Sequence, residues 1–266
     1  MGLDSLVTKI ETRSKKLPDD EYLVNALNEV IVKEFGGRTP STYYSPSSLG
    51  KCLRNLYYKR NGVEVDPNLE QEVKNCEKAE SGTDRHERIQ DKLVKLGSEK
   101  YDEFNIVWVD VEEFIKNRQL DYLEVVSKDE YEALLLDHRY DLRFKVDGIL
   151  KINGRYYILE IKTDNPDYWG RRTTPSSWHQ LQTDCYSLSL GIKKAMYLYE
   201  ERKDFQKKGI IKEVKEEKKD EIVEKIEIVE DYVERGELPP KDKTKCKFCK
   251  YPVKCARDYN PAGDNN

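Results

Sequence analysis

Apolar residues recur at helical spacing in several stretches of the chain and run in strand-like blocks in others. These periods lay out most of its elements. Leu23, Leu27, Val30 and Ile31 fall on one helical face of a stretch from about residue 3 to 35, which Gly36-Gly37 ends. Residues 1–43 therefore read as an N-terminal helical arm. From Tyr44 to Cys52 a turn offers serines that can cap a helix over Leu53 to Lys59, with Cys52 at its start. A longer helix is predicted from about Glu70 to Leu96, and its stripe of Ala79, His86, Ile89, Leu93 and Leu96 turns a histidine inward. Tyr101 to Asp137 mixes short strand and helix signals that give no order. Asn165 to Ser177 reads as a polar, aromatic loop, Trp178 to Leu190 as a helix closed by Gly191, and Ala195 to Tyr199 as a buried strand. Glu217 to Arg235 is a charged helix with an apolar stripe of Ile222, Ile226, Val229 and Val233, ended by Gly236 and Pro239-Pro240.

The clearest pattern is KVDGILKINGRYYILEIKT, residues 145–163. Two Ile-, Leu- and Tyr-rich runs flank Asn153-Gly154, a dipeptide that accepts the positive φ angles of a two-residue hairpin turn. With that turn, Ile152 pairs with Arg155, and counting back sets Asp147 opposite Glu160. Lys162, two residues on, shares their face. Val146, Leu150, Ile152, Tyr157, Leu159 and Ile161 are left on the other, the predicted core face. Two carboxylates with Cβ atoms about 5 Å apart repel each other. A divalent cation between them offsets that repulsion, and Lys162 adds further positive charge.

Composition sharpens this picture. The 266-residue chain is 37% charged and 37% hydrophobic, with a formal net charge of -4. Such a balance argues against non-specific coating of nucleic acid and leaves room for a local basic channel. No apolar run approaches the ~20 residues of a membrane span, and the first residues lack the apolar core of a signal peptide, so a cytoplasmic protein without membrane contact is expected. Six cysteines in such a chain point to metal or cluster ligation. Cys246, Cys249 and Cys255 form C-x2-C-x5-C, one thiolate short of a four-ligand site that Cys52 can complete. Cys76 and Cys185 fit no such pattern and read as buried free thiols, and His138 and His179 read as structural.

Asp147, Glu160 and Lys162 spell D-x12-E-x-K, which resembles the signature of the PD-(D/E)xK nuclease superfamily, with Val146 in place of the proline. Gly82-Thr-Asp-Arg-His86-Glu resembles the G-x-x-x-H-E motif, and Gln182-Thr-Asp-Cys-Tyr186 the Q-x-x-x-Y motif, of its RecB-type nucleases. A lone upstream cysteine with C-x2-C-x5-C downstream resembles the iron-sulfur nucleases of the AddB type and the CRISPR-associated RecB-like exonucleases. The resemblance implies an α/β restriction-endonuclease-like core over residues 44–240, a central mixed sheet flanked by helices, with residues 241–266 closing on Cys52. It implies Mg²⁺ or Mn²⁺ held by His86, Asp147, Glu160 and a backbone carbonyl, that of Ile161, while Lys162 positions the attacking water. Gln182 and Tyr186, on one helix face, are expected to bind DNA phosphate or hold Lys162. Cys52, Cys246, Cys249 and Cys255 are expected to bind a 4Fe-4S cluster, with zinc as the alternative. Arg171, Arg172 and the Lys-rich 241–254 segment are expected to line a DNA path. The function implied is a metal-dependent DNA exonuclease acting on single strands or free ends, in processing, recombination or defence, beside a helicase, recombinase or CRISPR-adaptation partner. The alternatives are a catalytically silent DNA-binding or scaffold module of this fold, or a structure-specific endonuclease.

Overall fold

In the computed structural model, residues 19–35, 41–66 and 69–258 are described. The first part of the N-terminal arm and its Gly36-Gly37 stop lie outside them, as does the side chain of Cys76. Helix α1 (Asp19–Phe35) is followed by α2 (Pro46–Leu49), α3 (Leu53–Arg60) and the 28-residue α4 (Leu69–Leu96). The chain divides into two compact units, the described parts of 1–39 and 67–81 in one, and those of 40–66 and 82–266 in the other. In the first, Leu23, Leu27 and Val30 on α1 are exposed. All that follows concerns the second.

Five strands form a mixed sheet: β1 (Ile106–Val109), β5 (Gly148–Ile152), β6 (Arg155–Asp164), β7 (Lys194–Glu201) and β8 (Lys207–Glu213), in the order β1-β5-β6-β7-β8. Only β6 and β7 run parallel, joined through helix α7 (Ser177–Leu190), while every other pair is antiparallel. Between β1 and β5 the chain makes α5 (Val111–Asn117) and a separate antiparallel meander of β2 (Leu123–Lys128), β3 (Ala133–Asp137) and β4 (Leu142–Val146). The short α6 (Pro166–Trp169) precedes α7, and α8 (Glu216–Glu234) and α9 (Pro252–Arg257) complete the chain's helices among the described residues. The meander is the ordering that Tyr101–Asp137 withheld, because each of its strands is short and its helix is only seven residues.

Asn153 (φ 49°) and Gly154 (φ 78°) form the expected turn, and Ile152 pairs with Arg155. The ladder stops at Gly148 against Leu159, so Asp147 stands at the bend where the chain leaves β4 for β5. That bend corrects the predicted faces. Val146 lies in the larger core with Ile149, Ile158 and Tyr186, whereas Leu150, Leu159 and Ile161 pack with Ile89 of α4. Both faces of the hairpin are therefore buried. Gly148 permits the bend, since a Cβ there would lie 2.5 Å from the Trp108 ring.

The serines before Cys52 also act differently from expectation. Ser45 caps α2 in a capping box with Ser48, and Cys52 itself caps α3, its Sγ accepting from the Asn55 amide at 3.4 Å. The α8 stripe holds, with Ile222, Ile226 and Val229 buried in the larger core and Val233 packed at its margin.

Candidate active site

Asp147 is shared by two hairpins. In the β5–β6 ladder Gly148 faces Leu159, so the next step sets Asp147 toward Glu160; in the β3–β4 ladder Ala133 faces Val146, so the next step sets Glu132 toward Asp147. Helix α4 closes the group. His86 Nδ1 lies 3.5 Å from Asp147 Oδ1 and 3.7 Å from Glu132 Oε1. One turn on, Gln90 Nε2 donates to the Asp147 carbonyl at 2.7 Å and to Glu132 Oε1 at 3.2 Å. Among the described residues, His86, Glu132 and Asp147 are the His, Cys, Asp or Glu trio whose ligand atoms lie within 4.8 Å of one another.

Asp147 Oδ2 accepts the Ile161 amide at 2.7 Å, which ties the bend to the middle of β6. Glu160 is fully buried and forms an ion pair with Lys162, yet neither of its carboxylate oxygens accepts a hydrogen bond of good alignment. Burial accordingly pushes Glu160 up to about 7, Asp147 adding to the shift and Lys162 opposing it. Burial also disfavours the Asp147 charge, but Lys162 and His86 outweigh it and hold that carboxyl below the ordinary range. His86 is pushed up to about 9: burial lowers it, and the hydrogen bonds to Asp147 and Glu132 more than reverse this. Glu132 is lowered in turn, its burial outweighed by His86 and by an ion pair with Lys145. The site is thus rich in oxygen acceptors and has one imidazole, a donor set suited to a hard divalent ion.

Helix α7 covers the Glu160 face. Tyr186 is only 3% exposed and stacks on Phe144 with ring centroids 5.3 Å apart, so it presents no surface to a DNA phosphate. Gln182 is half-buried one turn earlier. His179, also on α7, shares a 2.8 Å hydrogen bond with Tyr199, the ladder partner of Lys162, and burial with the nearby Lys162 and Arg172 charges drops it to about 4. Arg172 spends its guanidinium on Asp164, at 2.8 and 3.0 Å, while Arg171 is exposed.

Away from the sheet, the C-terminal segment packs on α3, where the rings of Tyr58 and Tyr251 lie 5.3 Å apart. Asp66 receives the amide of Val253 at 2.6 Å. N–H groups of α3 point at sulfur: Asn55 Nδ2 lies 3.5 Å from Cys249 Sγ and the buried Arg54 Nη1 3.7 Å from Cys255 Sγ, alongside the Asn55 amide on Cys52. Cys246 is exposed, and its thiol is raised by partial burial and by the neighbouring Cys52, Cys249 and Cys255. Cys185 is a buried free thiol in the core, pushed well up by burial.

The sequence profile of the PD-(D/E)XK nuclease superfamily matches residues 47–256. The chain belongs to that superfamily. Among solved structures it is similar to SSO0001, at 16% identity and a TM-score of 0.46, over 91% of this chain and 97% of that one. It is also similar to the alkaline exonuclease LHK-Exo of Laribacter hongkongensis, at 13% identity and a TM-score of 0.45, over 76% and 92% of the two chains, and to the same protein in complex with dAMP, at a TM-score of 0.46. No curated protein matches.

Within this superfamily member, Glu132 is the polar group that reading along the chain missed. It precedes a Leu-rich strand whose pairing was not legible, and only the register Ala133 to Val146 puts it beside Asp147. The acidic turn Asp129-Glu130-Tyr131-Glu132, ahead of a short strand, was the available signal. Among the described residues no helix is long and apolar enough to cross a membrane.

Proposed function

We propose that this superfamily member is a divalent-metal-dependent DNA exonuclease that acts on single strands or free ends and carries a 4Fe-4S cluster. One observation carries the reading: Asp147 faces Glu132 on one side and Glu160 on the other, with His86 and Lys162 against them, and the buried Glu160 oxygens lack aligned donors. Buried acceptors left short of donors are costly unless a cation joins them. His86, Asp147 and Glu160, with the Ile161 carbonyl, form the proposed ligand set for Mg²⁺ or Mn²⁺, and Glu132 stands within reach of the first two. When bound, such an ion lowers the pKa of water and neutralises charge on a phosphate.

The chain's own groups do the rest. The Ile161 amide fixes one Asp147 oxygen and leaves the other toward His86. Lys162, its charge favoured by Glu160 and Asp147 against the cost of burial, stays protonated and orients the attacking oxygen while compensating the phosphate. Gln90 holds Glu132 and the Asp147 backbone in register. Gln182, one helical turn before Tyr186 on α7, is proposed to hold Lys162 or a DNA phosphate, and Tyr186 to support that wall by packing. Cys52, Cys246, Cys249 and Cys255 are the proposed cluster ligands, favoured by the N–H groups that α3 directs at three of the sulfurs. Such donors stabilise thiolate charge.

The test is purified protein with Mn²⁺ or Mg²⁺ on end-labelled linear single strands, duplexes and closed single-stranded circles, with iron, sulfide and zinc measured on the same sample. Linear single strands should shorten from their ends while circles persist, and iron and sulfide should each approach four per chain. Absence of cleavage with either metal overturns the nuclease reading, equal rates on circles replace exonuclease by endonuclease, and one zinc without iron replaces the cluster.

A further inference from the structure

The turn between β7 and β8, Arg202-Lys203-Asp204-Phe205-Gln206, carries an aromatic ring that the fold does not use. Phe205 is 53% exposed, and its φ of 56° is a left-handed conformation that a bulky residue adopts only at a cost. Two cations from α4 nevertheless lie over its ring: the guanidinium carbons of Arg85 and Arg88 are 5.4 and 5.5 Å from its centroid. Arg85 and Arg88 flank His86 in sequence, so the helix that brings the imidazole to Asp147 also brings these two groups to Phe205.

Charge points the same way. Glu200, which the same two arginines contact, is fully buried and shared by Arg85 at 3.3 Å, Arg88 at 2.5 and 2.6 Å, and Lys207 at 3.1 Å. One carboxylate cannot neutralise three cations. The turn adds exposed Arg202 and Lys203, while Glu201 is occupied by the amides of Lys203 and Asp204, which leaves Asp204 as the acid the turn exposes. Position completes the case. Thr163 pairs with Glu200 one step beyond Lys162 and Tyr199, hence on the α4 face of the sheet, the face of the helix that carries His86, and Arg202 Nε reaches Thr163 Oγ1 at 3.3 Å. The basic, aromatic rim therefore sits at the carboxyl ends of the parallel strands β6 and β7, next to the candidate active site, where open α/β sheets take their ligands.

We propose that Phe205, with Arg85, Arg88, Arg202 and Lys203 around it, is a stacking platform for an unpaired base of single-stranded DNA whose backbone runs past Lys162. This rests on the nuclease reading and names how its substrate is held. A half-exposed ring with the guanidinium groups of Arg85 and Arg88 over it suits an unpaired base on its exposed surface and a phosphate chain beside it, whereas the bases of a duplex are already stacked on each other.

The test is fluorescence anisotropy of a labelled fifteen-nucleotide single strand against the full chain without added divalent metal, over a series of salt concentrations. Phe205→Ala should weaken binding about tenfold, as loss of one stacked base does. The pair Arg202→Ala and Lys203→Ala should reduce the slope of log affinity against log salt by about 1.4, from two lost phosphate contacts. Arg155→Ala, beside the Asn153-Gly154 turn at the other end of β6, should change neither, and all variants should hydrolyse bis(p-nitrophenyl) phosphate like the wild type. Full affinity in Phe205→Ala, or equal losses on duplex and single strand, overturns the platform alone if wild type still cleaves DNA. A wild type that neither binds nor cleaves DNA overturns the nuclease reading and the platform with it.

Discussion

Around Asp147 the polar side chains come from neighbouring strands and one helix, and their acceptors outnumber aligned donors. Around Cys52 the groups come from opposite ends of the described chain, α3 and the segment from Cys246 to Cys255, and N–H donors already face three sulfurs. The first region keeps carboxylates close against their own repulsion, because buried sheet on both faces over-determines where they stand. The second joins two segments distant in the chain, held through α3, Asp66 and the residues around the C-terminal helix. Removing a ligand from the first should therefore relieve the fold while stopping chemistry, and removing one from the second should unfasten the fold first.

The largest expected effect tests the second half of that contrast. Closing a loop as long as that from Cys52 to Cys246 is worth on the order of 5 kcal/mol in the chain-entropy picture, comparable with a whole domain's stability. Cys52→Ala, or loss of Cys246, Cys249 or Cys255, should bleach any brown colour and lower Tm steeply, whereas Cys185→Ala should leave the colour unchanged. Calorimetry and the visible spectrum read both.

Next comes the carboxylate pair. Asp147→Asn or Glu160→Gln should cut DNA cleavage by about 10³-fold or more, beyond the ~10–100-fold of a lost outer-shell partner. The folded Glu160 value of about 7 lies above its ordinary 4.5, so the folded metal-free protein retains a proton that the unfolded chain has lost between those pH values. Metal-free stability should fall as pH rises through that window, and Glu160→Gln should abolish the fall. Cleavage near the wild-type rate in either variant, or a Glu160→Gln protein less stable than wild type at pH 8, would break the comparison.

His86→Ala should weaken metal binding by more than the ~10–100-fold of a lost outer-shell partner, and Mn²⁺ binding more than Mg²⁺, since imidazole suits the softer ion. Titration of Mn²⁺ by electron paramagnetic resonance checks it, with unchanged curves returning His86 to a structural role. The smallest effect belongs to Arg172. Its two hydrogen bonds hold Asp164 below the usual carboxylate range, so their contribution is present above the ordinary value of 3.8 and is lost as pH falls through the folded value. Arg172→Ala should cost about 1 kcal/mol at neutral pH and leave single-strand affinity nearly unchanged. A large loss of DNA binding would show instead that this guanidinium exchanges Asp164 for phosphate.

Much of this molecule was legible in local pattern. Helix α7 with its Gly191 cap, α8 with its buried stripe, and the turn at Asn153-Gly154 follow from periodicity and from residues whose backbone preferences are strong. The count along both strands from the two-residue turn brought Asp147 near Glu160, because register in a hairpin is a local quantity, but the ladder ends at Gly148 and Asp147 stands on the bend beyond it. Glu132 was out of reach, since its place depends on which strand pairs with β4 and the short strands of the meander carry no such label.

Side-chain chemistry and spacing by themselves determined the hairpin, its opposed carboxylates with Lys162 beside them, the inward histidine and the cysteine pattern, each a consequence of helical or strand period within one segment. Tertiary structure alone decided that both faces of the hairpin are buried, that Glu132 joins His86 and Asp147, that Tyr186 is closed in by Phe144, and that Arg85 and Arg88 meet Phe205. The reason is physical: periodicity acts within a few turns of chain, whereas these contacts depend on non-local pairing, whose energy is recovered only once distant segments have closed on one another.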